Sequence, residues 1–446
     1  MIIAPQPLRG KFLRLFDALE FVHFRELVPN AHTKGVLSER YFANFPGVGF
    51  VIHVPKRGII GGMGEFRIKR VKVENFKSLA NFEMRDIPMF ACLIGINGCG
   101  KTTFFQFIDF VKSLMNGDVQ KWLESQGLNG AGELLTLGGE RKSNVIKMEI
   151  DAVLDGRAAE WKATFNAREL RCTLEELKEG DITYKFNAGR LHIAEREKDQ
   201  TIDYGPSSYT GSIFSFRQTE FSRFVKSICL LGVLDPHAIA QPSRIAKAGK
   251  LAHVESNGKN LSAFVAGLPL DKQQVLLEQV RDFYRPLQEF RIKRQQFGWK
   301  SLLMREFEKE VFNATNLSYG TLRLFVLLAQ QYADDKVVLC DEVENGLNQE
   351  LFEKFVDKLQ NYGEPRKQVF VSTHSGLFLN YLDDGQARES VYFLYKDAKR
   401  RTRARRFFDV AEMSEKLNVL GPGEAMGDTD LNQLSERLAS EDEAID

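Results

Sequence analysis

The sequence has little cysteine, no long hydrophobic run and no excess of charge of one sign. Its five cysteines among 446 residues include no Cys-x-x-Cys pair, which argues against a disulfide framework or a zinc site and favours a reducing, cytoplasmic compartment. No apolar run approaches the roughly 18 residues of a membrane helix, so we expect no membrane partner. The net charge of +1 excludes a wholly basic nucleic-acid binder but permits a local basic patch.

The first 62 residues differ from the rest of the chain. They contain five of the 13 prolines, carry a net charge of +4 and show no helical or alternating period. Two interpretations remain open for residues 1–62: an extension that docks on the main domain, or translated upstream sequence with Met63 as the true start. A strand pattern begins directly after Met63, which favours the second interpretation.

A phosphate-binding loop is the strongest motif in the sequence. Strand-like residues Met89–Ile94 lead into Gly95-Ile-Asn-Gly-Cys-Gly100-Lys101-Thr102, which reads G-x4-G-K-T, and a helical apolar pattern follows over 103–114. Strand, glycine-rich loop and helix in this order are the context that such a loop requires. The residues predicted to bind the nucleotide here are Gly95, Asn97, Gly98, Gly100, Lys101, Thr102 and Thr103.

Each part of this loop has a physical role toward ATP and Mg²⁺. Backbone N–H groups and the positive end of the helix dipole would cradle the phosphate oxygens. Lys101 would reach the β- and γ-phosphates, and the Thr102 hydroxyl would ligate Mg²⁺.

An acidic pair follows a second buried strand pattern. Val337-Val-Leu-Cys is apolar throughout and leads into Asp341 and Glu342. In that position Asp341 would hold Mg²⁺ through water, and Glu342 would orient or deprotonate the water that attacks the γ-phosphate.

The order of the motifs resembles the ABC ATPase superfamily. The segments that carry the resemblance to its RecF/SMC-like AAA family ATPases, including the ATPase part of overcoming-lysogenization-defect (OLD)-type proteins, are Val73-Glu-Asn-Phe-Lys-Ser-Leu79, Leu317-Ser-Tyr-Gly-Thr-Leu-Arg323, Asp341-Glu-Val-Glu-Asn-Gly-Leu347 and Ser372-Thr-His-Ser375. The resemblance covers about residues 63–430. It departs from the family at Val343, where a proline is common, and at Asn348-Gln349, where His-Pro is usual, and these changes could weaken a subunit contact.

The resemblance implies an α/β fold, a P-loop NTPase with an ABC-type ATPase head, and a site shared between subunits. Ser318 and Gly320 correspond to the signature loop that faces the γ-phosphate of ATP held by the opposite subunit, and His374 to the switch histidine that senses this phosphate. A homodimer or higher oligomer therefore follows from the resemblance.

Gly95 of the phosphate loop and Gly320 of the signature segment are about 225 residues apart in the sequence, which indicates a large insertion. Strand-like runs within 144–195 predict an antiparallel β layer beside the head. Residues 214–290 read as mainly helical without sustained heptads, so we expect a compact inserted lid and no long coiled coil. The predicted divisions are 63–200 and 301–430 for the head, 201–300 for the helical lid and 431–446 for an acidic tail, whose last residues, 436–446, we expect to fray.

One basic stretch lies near the end of the chain. Residues Lys396–Arg406 contain seven basic residues and one acid. Two interpretations remain open: a solvated hairpin, or a sequence-independent contact to the phosphate backbone of DNA or RNA. No basic stretch interleaved with aromatic residues, as base stacking would need, stands out.

These patterns predict an ATPase whose dimerisation is gated by ATP. DNA repair or genome maintenance is the expected role. A defence (anti-phage) sensor that controls a separate TOPRIM-type nuclease or toxin is the alternative, and a non-hydrolysing scaffold is disfavoured because the phosphate-loop residues, the acidic pair and His374 are all present.

Overall fold

The computed structural model describes residues 40–45, 48–53, 65–137, 143–195, 198–205, 209–232, 234–244, 253–307 and 311–443. The chain divides into two units, Met1–Met63 and Gly64–Asp446. In the first unit β1 pairs antiparallel with β2. The prediction about the true start of the chain falls on residues 1–62, of which only these two strands lie among the described residues.

The strands, numbered along the chain, are β1 Arg40–Phe45, β2 Val48–His53, β3 Phe66–Phe76, β4 Leu79–Met84, β5 Phe90–Ile94, β6 Val145–Leu154, β7 Arg157–Asn166, β8 Arg171–Glu179, β9 Ile182–Asn187, β10 Arg190–Glu195, β11 Lys198–Asp203, β12 Ile228–Leu231, β13 Leu287–Arg294, β14 Lys300–Glu306, β15 Phe312–Asn313, β16 Val337–Cys340, β17 Gln368–Ser372, β18 Val391–Lys396 and β19 Thr402–Arg406. The α-helices are α1 Lys101–Asn116, α2 Val119–Ser125, α3 Glu220–Lys226, α4 Pro236–Ala240, α5 Leu261–Gly267, α6 Leu270–Phe283, α7 Tyr319–Gln330, α8 Phe352–Gln360, α9 Gly376–Leu379, α10 Asp384–Ser390, α11 Ala411–Leu417, α12 Pro422–Gly427 and α13 Leu431–Glu443.

A six-stranded sheet in the order β12-β16-β17-β5-β18-β19 forms the centre of the second unit. Its first five strands run parallel, and β19 returns antiparallel to β18. Both faces of the parallel part are buried, so its five strands are mostly apolar runs without alternation. In β5, for example, Cys92 and Ile94 join one hydrophobic cluster, while Ala91 and Leu93 join another on the opposite face.

The predicted antiparallel β layer is an eight-stranded sheet in the order β11-β10-β9-β8-β7-β6-β3-β4. It packs on helix α1 through aromatic side chains: Phe76 lies 5.3 Å from Phe107 between ring centroids, and Phe165 lies 5.1 Å from Phe110. The α/β fold class with an antiparallel β layer is therefore confirmed.

The range predicted as a helical lid, 201–300, contains helices α3 to α6 and two elements that sequence reasoning did not assign. Strand β12 lies at the edge of the central sheet, beside β16. Strand β13 begins a three-stranded antiparallel sheet, β13-β14-β15, that continues beyond residue 300.

The predicted acidic tail is helical in its described part. Helix α13 buries Leu434 and Leu438, which are four residues apart and therefore share one helix face. Asp442 near its end accepts hydrogen bonds from Tyr395 and Arg405 at 2.8 and 2.5 Å. The expectation that this end frays is wrong through residue 443, because an apolar stripe and a paired carboxylate fix the helix on β18 and β19.

Candidate nucleotide site

The glycine-rich loop lies where β5 ends at the middle of the parallel sheet and α1 begins. Gly95 and Gly100 have φ values of +144° and +116°, which side chains other than glycine rarely adopt. A Cβ at residue 95 would overlap the carbonyl oxygen of Leu394, and one at residue 100 would overlap the Thr402 hydroxyl. The β18–β19 hairpin therefore supports the loop from behind and makes both glycines obligatory.

Lys101 is the first residue of α1, and its side chain is folded over the loop. Its ammonium donates to the carbonyl oxygens of Gly95 at 2.8 Å and Ile96 at 3.3 Å, and it lies 3.8 Å from the Cys99 sulfur. Only 6% of the residue is exposed. The charge is thus held at the mouth of the loop by neutral acceptors, and within the described ranges no carboxylate pairs with it that a phosphate would have to displace.

A hydrogen bond joins the two separated halves of the predicted site. The Thr102 hydroxyl donates to a carboxylate oxygen of Asp341 at 2.8 Å, across 239 positions of sequence. The other oxygen of Asp341 accepts from the Ser372 hydroxyl at 2.5 Å. β5, β16 and β17 bring these residues together because they are neighbours in the parallel sheet and all end at the same edge.

Glu342 has a left-handed backbone conformation with φ of 46°, which is uncommon for a residue other than glycine. Three contacts hold it there: its N–H donates to the Ser372 hydroxyl at 2.8 Å, and the Arg323 guanidinium donates to the carbonyl oxygens of Asp341 and Glu342 at 3.0 and 2.6 Å. Arg323 is only 3% exposed. The fixed turn leaves the Glu342 carboxylate exposed beside the cleft.

His374 follows β17, and its backbone N–H donates to the Glu344 carboxylate at 2.6 Å. Burial, together with the positive charge of Lys101, lowers the pKa of the imidazole below its ordinary value, although Glu344, Glu342 and Asp341 act in the opposite direction. The ring is therefore neutral at neutral pH.

A cleft of about 180 Å³ brings most of the predicted site residues together. Its lining consists of Asn97, Gly98, Gly100, Lys101, Thr102, Thr103, Asp341, Glu342 and His374. Gly95 lies behind it, against β18.

The two predicted signature residues do not line this cleft. Ser318 caps α7 by accepting from the Thr321 N–H at 3.2 Å, and it is exposed. Gly320 packs directly on the Gly346 carbonyl, where a Cβ would overlap. The signature loop thus forms an exposed, capped helix N-terminus outside the cleft of its own chain.

Three residues of the site were not assigned roles from the sequence: Ser372, Arg323 and Glu344. Each lies inside a segment that carries the family resemblance, so the sequence identified the segments. It did not identify the contacts of these three residues, because those contacts join parts of the chain that are far apart in sequence.

The residues at the cleft fit Mg²⁺. The Thr102 hydroxyl and the Asp341 carboxylate are hard oxygen donors at neighbouring positions. Over the described ranges, no group of three or more His, Cys, Asp and Glu side chains could hold a metal ion by itself. Phosphate oxygens and water would have to complete the shell, as is usual for Mg²⁺ at nucleotide sites.

The basic stretch Lys396–Arg406 forms the end of β18, a turn and β19. Its cations are largely paired within the chain: Arg401 and Arg403 with Asp397, Arg405 with Glu441 and Asp442, Lys396 with the Thr402 hydroxyl and Arg406 with the Asp86 carbonyl. Only Lys399 and Arg400, at the turn, have neither an ion-pair nor a hydrogen-bond partner for the side chain within the part of the chain that the structure describes. This arrangement favours the interpretation as a structural hairpin over that as a phosphate-backbone contact.

All five cysteines are buried and free. None of the helices that the structure describes is long and apolar enough to cross a membrane.

Two protein-family models match the chain. One, described as an AAA ATPase domain, matches residues 67–227 and includes the phosphate loop. The other, described as "AAA domain, putative AbiEii toxin, Type IV TA system", matches residues 261–380 and includes the acidic pair and His374. A comparison with curated proteins found no match.

Several solved structures are similar to this chain at low sequence identity. An SMC head bound to the C-winged helix domain of ScpA is 12% identical with a TM-score of 0.48, over 76% of this chain and 96% of that one. The SMC head domain from Thermotoga maritima is 14% identical with a TM-score of 0.39, over 76% and 98%. An SMC head with an extended coiled coil, bound to the C-terminal domain of ScpA derived from Pyrococcus furiosus, is 11% identical with a TM-score of 0.40, over 79% and 100%.

The two matched regions correspond to the two groups of motifs in the sequence. One holds the phosphate loop and the other the acidic pair, and the parallel sheet joins them at one cleft. The chain is therefore similar to AAA ATPase domains over residues 67–227 and 261–380.

Proposed function

We propose that this protein hydrolyses ATP at the cleft between the phosphate loop and Asp341. The observation that carries the proposal is the hydrogen bond between Thr102 and Asp341, since it places the two expected oxygen ligands of Mg²⁺ side by side at the start of helix α1. The exposed Glu342 carboxylate lines the same cleft as Lys101, whose ammonium pairs with no carboxylate among the described residues.

Each side chain has a defined task in this reaction. Lys101 and the loop N–H groups hold the phosphates, and Thr102 with Asp341 would hold Mg²⁺, which neutralises charge on the phosphate oxygens. Glu342 accepts a proton from water as the water oxygen attacks the γ-phosphorus, while the bond to the β–γ bridging oxygen breaks and ADP leaves. His374, neutral at this pH, can donate one N–H to the γ-phosphate.

We further propose that two copies of the chain enclose the nucleotide. Ser318 and Gly320 lie outside the cleft of their own chain, yet they form an exposed helix N-terminus of the kind that binds anions. The signature loop of one copy would therefore complete the site of the other. ATP would close the dimer, and hydrolysis would reopen it.

Glu342→Gln tests both parts of the proposal. The variant should bind ATP, release phosphate at least about a hundredfold more slowly because the general base is lost, and accumulate as a dimer in light scattering after size exclusion. Lys101→Ala, which should bind ATP weakly, is the control that must remain monomeric. If Glu342→Gln bound ATP and stayed monomeric, the two-copy site would be wrong. The hydrolysis proposal would be unaffected, because phosphate release tests it separately.

For the biological role we propose DNA repair or genome maintenance, with a defence sensor as the second candidate. The second is favoured by the printed description of the family that matches residues 261–380, which names a putative toxin of a type IV toxin–antitoxin system. Recovering Glu342→Gln protein from its host and identifying the bound molecules separates the two. Co-purifying nucleic acid supports the first candidate, and a TOPRIM-like or toxin protein supports the second.

A further inference from the structure

The hairpin β13–β14 presents an exposed, basic and aromatic tip. Its strands pair antiparallel with Arg294 opposite Lys300, and residues 295–299 form the connection. From residue 290 to residue 304 the sequence has four cations, Arg291, Lys293, Arg294 and Lys300, and no acid. We refer to residues 291–300 together with Arg244 as the hairpin tip.

The cations of the hairpin tip are mostly unpaired. Arg291 pairs with Glu289, which also pairs with Arg305 at 2.9 Å. Among the described residues no carboxylate forms an ion pair with Lys293, Arg294 or Lys300. This differs from the β18–β19 hairpin, whose cations mostly have partners in the chain.

Two aromatic rings lie among these cations. Phe297 is 85% exposed and Trp299 is 38% exposed. The Arg244 guanidinium carbon lies 5.3 Å from the centroid of the Trp299 ring, in a cation–π contact. The sequence-based expectation that no basic stretch is interleaved with aromatic residues is therefore wrong for this segment.

The backbone at the tip is strained, and burial of side chains does not offset this strain. Phe297 has φ of 55° and ψ of 26°, Gly298 has φ of 78°, and the Trp299 N–H donates to the Gln296 carbonyl at 3.3 Å. This is a type I′ turn, in which asparagine or glycine is the usual residue at the position of Phe297. A bulky aromatic ring there raises the backbone energy and, at 85% exposure, gains little from burial.

We propose that the hairpin tip binds single-stranded nucleic acid, with Phe297 and Trp299 stacking on bases and the surrounding cations contacting phosphates. Single-stranded nucleic acid binds to positively charged surfaces that carry exposed aromatic rings, because every base of a single strand has a face available for stacking. In a duplex those faces are covered by neighbouring bases, so a duplex would use only the cations. The proposal is independent of the ATP site, since binding is measured without nucleotide.

The base of the hairpin contacts the signature region of the ATPase. Phe290 on β13 packs edge-to-face on Phe325 of α7, with ring centroids 5.3 Å apart. On the other side, β14 pairs with β15, and the chain runs from Asn313 through one short turn to Ser318. Nucleic acid bound at the hairpin tip would therefore be connected, through β13–β15, to helix α7, which begins at the signature loop.

The test uses fluorescence anisotropy with a labelled oligothymidylate of about 20 nucleotides at several salt concentrations. Phe297→Asn should weaken binding about tenfold, since stacking on one base is lost. Its melting temperature should be unchanged or higher, because asparagine suits the type I′ turn. A purely structural role for Phe297 would give the opposite thermal result.

A charge variant isolates the phosphate contacts. Replacing Lys293, Arg294 and Lys300 with glutamine should reduce the slope of log affinity against log salt by about 2, since each phosphate contact of a single strand contributes about 0.7. The matched control is Lys399→Gln with Arg400→Gln at the tip of the other hairpin, which should leave binding within about twofold of the parent.

Three results would overturn the proposal. The first is an oligothymidylate affinity that none of the tip variants changes. The second is tighter binding of a duplex of equal length. The third is binding to vesicles containing anionic lipid that Phe297→Asn weakens while oligothymidylate binding stays constant, which would identify the tip as a membrane contact.

Discussion

Ser372→Ala should separate positioning of the acidic pair from the fold that carries it. The Ser372 hydroxyl donates to Asp341 at 2.5 Å and accepts from the Glu342 N–H at 2.8 Å, and the residue is fully buried. Alanine fits the same space but leaves a backbone N–H without an acceptor and a carboxylate oxygen without its donor.

The size of the effect follows from these two losses. An unpaired buried polar group costs about 1–3 kcal/mol, and a hydrogen bond to a charged group contributes about 1.5–3 kcal/mol. Asp341 is only half-buried, so water can partly replace the hydrogen bond that its carboxylate loses. We expect a decrease of about 3 kcal/mol in the free energy of unfolding, measured by urea denaturation.

Hydrolysis should suffer more than stability. Losing a hydrogen bond that orients a metal ligand commonly costs about 10- to 100-fold in metal affinity or activity. Phosphate release measured against Mg²⁺ concentration should therefore show a requirement raised by about that factor. Ser375→Ala is the matched control, because the Ser375 side chain does not cap helix α9. The reasoning is refuted if folded Ser372→Ala protein hydrolyses ATP with the parent's Mg²⁺ dependence, or if both variants lose activity equally.

Three further predictions concern other residues of the site. Arg323→Met should lower the free energy of unfolding by about 3 kcal/mol, because two backbone carbonyls lose a charged donor. Urea denaturation measures this, and a variant with the parent's free energy of unfolding would contradict the prediction. Gly320→Ala should cost about 1–3 kcal/mol through overpacking on Gly346, whereas Gly427→Ala, whose Cβ would meet nothing within 4 Å, should be neutral in the same assay. The His374 imidazole should titrate below its ordinary pKa of about 6.5, with the midpoint rising in Lys101→Ala, as NMR would show. Because its folded pKa lies below its unfolded one, this histidine should reduce stability as pH falls below about 6.5.

Local sequence patterns predicted much of the fold. Helix α1 was expected over 103–114 and spans Lys101–Asn116, and the antiparallel layer was expected over 144–195. These elements follow from periodicities of 3.6 and 2 residues, which burial on one face imposes.

What the sequence could not provide depends on distant residues. The contacts of Ser372 and Arg323 with the acidic pair exist only because β17 lies beside β16 in the folded sheet and because Arg323, on helix α7, reaches the backbone that follows β16. The β13–β14 hairpin escaped prediction for another reason: its turn reads Gln-Phe-Gly-Trp and lacks the Asn-Gly or Asp-Gly pair that normally signals such a connection.

The order of strands in the central sheet has a consequence for how the protein is made. β5, which carries the phosphate loop, is flanked only by β17 and β18 within the described sheet, and both lie roughly 280 residues later in the chain. At about 5–20 residues per second, a ribosome needs on the order of half a minute to supply those partners. During this time an apolar strand with two unpaired edges awaits burial, so the nascent chain should depend on chaperones until residue 396 has emerged. A C-terminal truncation at any point between α1 and β17 would leave the loop sequence intact and abolish the nucleotide site.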